Sequence, residues 1–169
     1  MTTNDESAPD GTRRARPKTE ASYGIPERAD GTLSWEFVAD RMQGAQHYWV
    51  TTARPDGSPH VRPTWGVWAD GTFHCGGGEG TRWVRNLAAN PDIVVHGESA
   101  TAVVILEGRA ERIDEGAADP ELIDELDAAY EAKYDTDHGT PFFAVRPAVV
   151  FAWSDFPTDA TRWTVTVGE

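Results

Sequence analysis

Two Asp-Gly pairs, Asp56-Gly57 and Asp70-Gly71, constrain this chain more than any other feature. Each is a hairpin turn signal set between runs of β-branched and aromatic residues. The spacing predicts strands over 47–54, 59–68 and 72–75, joined by tight turns as an antiparallel meander. Within the second run, His60, Arg62 and Thr64 share one face, because side chains alternate along a strand. Pro63 removes a backbone donor there, which marks an edge strand, a bulge or a position lining a ligand.

The pattern then breaks at Gly76-Gly77-Gly78-Glu79-Gly80, followed by a helical stretch over 81–89 that Asn90-Pro91 stops. Glycines let the backbone approach a ligand closely. Thr81 stands at a helix N-terminus, where free N–H groups and the helix dipole favour an anion. Arg82 and Arg85 add charge-assisted donors. Against this stands a plain loop with arginines on a solvated helix face. The arginine on the preceding strand, Arg62, tips the reading towards a phosphate site.

Charge is distributed to match. The chain of 169 residues has a formal net charge of −13. Between 111 and 138 eleven acids face only Arg112 and Lys133, whereas between 60 and 85 Arg62, Arg82 and Arg85 outnumber Asp70 and Glu79. The acid excess argues against a nucleic-acid partner, which needs a basic face. No apolar run approaches the ~20 residues of a membrane span. The single cysteine, Cys75, allows no internal disulfide, so a cytoplasmic location is expected. Only two of the fifteen basic residues are lysines, which fits either a high-salt habitat or an arginine-rich coding bias.

Elsewhere, residues 1–30 are rich in Pro, Gly and charge and read as a disordered tail, leaving 31–169 as one domain. Helices are expected over 35–42, capped by Ser34, and from Asp119-Pro120 to about 134. Strands are expected over 93–96, 102–113, 142–153 and 161–167. About seven strands with inserted helices form a mainly β fold, an antiparallel barrel with peripheral helices. His60, His74 and His96 lack metal-ligand spacing, so no metal site is expected. Cys75 on a strand reads as a small core residue rather than a nucleophile. The segment from Trp153 to Trp163 mixes aromatics with Pro, Asp and Arg, as an interface or pocket wall does.

The strand pair YWVTTARPDGSPHVRPTWGVWADGTFHCGG, the TRWVRNLAANP helix, the VVH and VVILEGRAERI strands and the terminal ATRW resemble the pyridoxamine 5′-phosphate oxidase-like split-barrel superfamily. The resemblance spans roughly residues 35–163 and is to its general branch. It implies a six-stranded antiparallel split β-barrel and a homodimer with two flavin sites at the subunit interface. On it, His60, Val61, Arg62, Pro63, Thr64 and Trp65 line the flavin ring, with Cys75 and Gly76 beside it. Thr81, Arg82 and Asn86 hold the phosphate, Arg62 and Arg85 are further candidates, and Trp153 and Phe156 come from the partner subunit. Trp83 stands where many members carry a phosphate-binding lysine, and the chain ends without the arginine- and histidine-bearing segment of the true oxidases. The expected function is an FMN-dependent oxidoreductase for a small organic substrate. The alternatives are an F420-dependent reductase, for whose acidic tail Arg13 to Lys18 offer a basic channel, and a non-catalytic flavin or haem binder with His60 or His74 as axial ligand.

Overall fold

The computed structural model describes residues 8–166. In chain order these form β1 (Thr12–Ala15), a single 3-10 turn (Ala21–Tyr23), α1 (Trp35–Gly44), β2 (Tyr48–Ala53), β3 (Pro59–Thr64), β4 (Val67–Ala69), β5 (Thr72–Gly76), α2 (Arg82–Ala89), β6 (Asp92–Gly97), β7 (Val103–Ile113), α3 (Pro120–Tyr134), β8 (Phe142–Trp153) and β9 (Thr161–Val165). All nine strands belong to one antiparallel sheet.

The sheet runs β1-β9-β8-β7-β6-β2-β3. Strand β8 organises it. β7 pairs along its whole length on one edge. On the other edge β5 takes the first half, from Phe142 to Val145, and β9 takes Val149 to Ala152. This division splits the sheet and carries β4 and β5 away from β2 and β3. The main core lies on one face and gathers Val50, Val95, Leu106, Val150, Trp163, Phe73 and Cys75 with α1 and α2. Helix α1 contributes Trp35, Val38, Ala39 and Met42, spaced as one helical stripe. A second cluster, with Val67, Ile113, Phe142 and Ala144, is covered by Leu126 and Tyr130 of α3.

The class is mainly β with peripheral helices, as expected, and most boundaries lie within a residue or two of the sequence reading. Three differences are informative. The expected strand over 59–68 is two strands. β3 pairs only with β2, β4 pairs only with β5, and the meander is broken between them. The break falls at Gly66, where a Cβ would lie 2.3 Å from the Phe73 ring. There Tyr134 Oη accepts the Gly66 N–H, and the Lys133 ammonium donates to its carbonyl. α3 thus takes the hydrogen bonds that a continuous strand would have used.

The tail expectation does not hold for residues 12–15. Thr12–Ala15 is a strand paired with β9, and Arg16 donates to the carbonyls of Arg28, Asp30, Thr158 and Ala160. Residues 1–7 and Val167 lie outside the described residues. Finally, Ser34 occupies the N-cap of α1 without a side-chain capping bond, whereas Asp119 caps α3 through the Glu121 N–H.

Candidate functional site

Helix α2 is seated on the sheet by its buried face, Trp83, Val84, Asn86 and Leu87. Its approach depends on Gly77, where a Cβ would lie 2.3 Å from the Trp83 ring and 2.7 Å from Val84. One helical turn after Arg82, the fully buried Asn86 donates from Nδ2 to Thr52 Oγ1 of β2 at 3.0 Å. Thr52 is the register partner of His60 on β3. α2 therefore lies against the inward face of the β2–β3 hairpin, the face that also carries His60, Arg62 and Thr64.

His60 is the centre of this corner and only 5% exposed. Arg54 Nη2 lies 3.2 Å from its Nδ1. A guanidinium can only donate, so Nδ1 accepts and the neutral ring carries its proton on Nε2. That Nε2 is buried and has no hydrogen-bond partner among the described residues. Burial first, then the charges of Arg62, Arg54 and Arg82, hold the imidazole below its ordinary pKa. Arg54, just after β2, thus contacts one neutral histidine, and the charges of Arg62 on β3 and Arg82 on α2 act on it as well. Arg54 also donates to the Pro59 carbonyl and fastens the hairpin.

Among the described residues, none of Arg54, Arg62, Arg82 and Arg85 pairs with a carboxylate. The start of α2 is open as well. The Thr81 hydroxyl donates to the Gly78 carbonyl and makes no capping bond, so the first helical N–H groups keep their hydrogen-bonding capacity. Guanidinium groups without a carboxylate, Arg62 among them with Nη1 on the Val61 carbonyl at 2.8 Å, an uncapped helix start and a buried imidazole donor offer donors suited to an oxyanion. The phosphate of a flavin-type cofactor fits this donor set.

The other expected residues fall elsewhere. Val61, 44% exposed, and Pro63 point to the outer face of the sheet, beside Trp49, 37% exposed. Trp65 stacks on Tyr134, with ring centroids 4.6 Å apart and planes 5° from parallel. Cys75 does not face this corner. It is fully buried in the main core, and burial alone pushes its thiol up to about 12, consistent with an inert core residue. Gly76 is tied to α3, donating its N–H to Tyr130 Oη, and a Cβ there would strike the His138 ring. Trp153 packs edge-on against Phe156, which meets Tyr23 in turn. This trio stands at the β8–β9 end of the sheet, and one chain does not bring it to the β3–α2 corner.

Two side chains at or near these elements escaped the sequence reading. Arg54 was legible only as two residues from Thr52 on the same face. Lys133 gave no signal. It reaches across from α3 to Tyr48 Oη and the Gly66 carbonyl, both at 2.8 Å, over the faces of Tyr48 and Tyr134. Burial lowers its pKa to about 8. His74 is separate again. It lines a pocket of about 270 Å³ with Ala144, Arg146 and Ile113, and burial with the nearby Arg146 lowers its pKa to about 4. Among the described residues, no three His, Cys, Asp or Glu side chains are grouped to hold a metal ion. Nor is any helix there long and apolar enough to cross a membrane.

The fold has many relatives. Residues 35–154 match the family model described as pyridoxamine 5′-phosphate oxidase. An FAD-binding protein from Mesorhizobium loti shares 18% identity, with 79% of this chain and 96% of that one covered at a TM-score of 0.60. An F420 reductase shares 20% identity, with 66% and 93% covered at 0.53. The haem storage protein HutZ from Vibrio cholerae shares 17%, with 69% and 89% covered at 0.54. At these identities the likeness is one of fold. No curated protein matches the chain. The family match covers most of the sheet together with the β3–α2 corner, and by it the chain belongs to the pyridoxamine 5′-phosphate oxidase-like split-barrel family.

Proposed function

We propose that this protein is a cytoplasmic, homodimeric oxidoreductase that holds FMN by its phosphate at the β3–α2 corner and acts on a small organic substrate. The observation that carries the reading is the set of arginines without carboxylate partners around His60, in a chain of net charge −13. Arg62, Arg82 and the open N–H groups of α2 bind the phosphate, with Arg85 and the Thr81 backbone at its margin. When bound, a flavin supplies the hydride and electron chemistry. The chain's own residues bind, orient and shield it.

A second copy is proposed on the outer face of the sheet. One register row there runs Pro63, Trp49, His96, Ile105, Phe151 and Arg162. The neighbouring row runs Val61, Thr51, Val94, Glu107 and Val149. Burying this face in a twofold interface is the reading in which the partner's Trp153 and Phe156 reach the ring beside Val61 and Trp65.

F420 is the alternative cofactor. Its acidic tail wants a free basic channel, and within the basic segment from Arg13 to Lys18 Arg16 spends its guanidinium on four backbone carbonyls. That observation supports FMN. The test is a parallel absorbance and fluorescence titration with FMN and F420, at low and molar salt. Tight FMN binding with ring quenching is expected. Preference for F420 would replace the cofactor, and binding of neither would overturn the proposal.

A further inference from the structure

His60 is the one group in this corner whose state is set before anything binds. Its Nδ1 faces a donor that has no lone pair to offer, so its proton resides on Nε2. Nε2 is buried without a partner among the described residues, and an unmet donor of this kind is costly unless something fills it. Its surroundings say what fills it. The flanking charges are Arg62, Arg54 and Arg82, all positive, with no carboxylate paired to them. A cation is repelled there, and an anionic oxygen is attracted.

We infer that the Nε2–H of His60 is a preset neutral donor for an acceptor oxygen of the bound anion, and that Arg54 is the positioning residue that fixes its tautomer. The inference rests on the anion-site reading above but assigns the two residues a division of labour. Arg62 and Arg82 supply charge, whereas His60 supplies a directional hydrogen bond that adds no charge. A protonated ring would turn Nδ1–H towards the Arg54 guanidinium, so the same contact that orients the ring also keeps it neutral. An Nε2 that carries the proton has no lone pair for a haem iron, which sets this site apart from axial ligation.

The test uses the full chain labelled with ¹⁵N. Two-bond ¹H–¹⁵N spectra at pH 7 report the tautomer, and the His60→Gln variant identifies the His60 signals among those of the five histidines. A ring protonated on Nε2 alone is expected, and the Arg54→Met variant is expected to mix the two tautomers. An Nδ1–H ring or an imidazolium in the wild type would overturn the inference.

The same sample is then titrated with FMN, F420 and inorganic phosphate. A shift of the Nε2 resonance with FMN or F420 supports both the inference and the cofactor reading. A shift with phosphate alone supports the inference and overturns the cofactor reading. A cofactor that binds without moving Nε2 overturns the inference only, because an internal water then satisfies the donor. No binding by any of the three overturns both. In parallel, His60→Phe should weaken binding about tenfold, the cost of one hydrogen bond to an anion, and His60→Gln should recover part of it. Equal affinity for His60→Phe and wild type would overturn the inference.

Discussion

Two groups of arginines on this molecule are treated in opposite ways. Along β7 and β8 every solvent-facing arginine has a carboxylate. Arg109 pairs with Asp92, Arg112 with Asp114 and Glu79, and Arg146 with Glu111. At the β3–α2 corner Arg54, Arg62, Arg82 and Arg85 have none among the described residues. The difference cannot come from a shortage of acids in a chain with 28 of them. Most of the acids lie on other elements, above all on α3, which packs over the second core cluster, and Asp56 in the hairpin turn gives its carboxylate to Ser58. Paired arginines are part of the surface, whereas those beside the buried His60 are the ones that the proposed function assigns to an anion.

The sharpest way to break this contrast is to remove a charge from each side. Arg82→Ala should weaken cofactor binding by about 1.5–3 kcal/mol, the loss of a charged hydrogen bond. Unchanged affinity in a fluorescence titration would remove Arg82 from the site.

Lys133 refines the comparison, because it is a cation held by a carbonyl and ring faces without a carboxylate. Its folded pKa of about 8 lies below the ordinary 10.5, so between these values the unfolded chain binds more protons. Stability should then rise as pH increases from about 8 towards 9, and the rise should vanish in Lys133→Met. From about pH 9 the raised pKa of the buried Cys75 thiol works in the opposite direction, and above the ordinary tyrosine range that of the buried Tyr48 joins it, so the window closes there. Urea unfolding at stepped pH checks it, and a flat wild-type profile would mean that the ammonium is solvated in the folded state.

The smallest effects belong to the paired side. Arg112→Ala and Asp124→Ala should leave cofactor affinity within error, because exposed ion pairs contribute little and neither residue touches the corner. A large loss in either would place the site on the acidic flank.

Much of this was legible in one dimension. The Asp-Gly turns, the alternation along β3, the stop at Asn90-Pro91 and the Asp119-Pro120 start of α3 are local signals, and the elements follow them. The placement of Arg62 on a strand face and of Arg82 at a helix start was legible because those elements have fixed geometry. The break at Gly66 was not, since the side chains that take its N–H and carbonyl sit on α3, far along the chain. The strand at Thr12–Ala15 was hidden for the same reason: its partner is β9, at the other end of the chain.

The sequence by itself determined the elements, the antiparallel class and the uneven charge, because turn chemistry, periodicity and composition act over a few residues. Only the tertiary structure decided which arginines are paired, which way Trp65 and Cys75 face, and that Arg54 holds His60 in one tautomer. Those outcomes depend on which surfaces meet when β8 divides its edge between β5 and β9 and α2 closes on the β2–β3 hairpin. Contacts between segments distant in sequence set them, and no local pattern encodes such contacts.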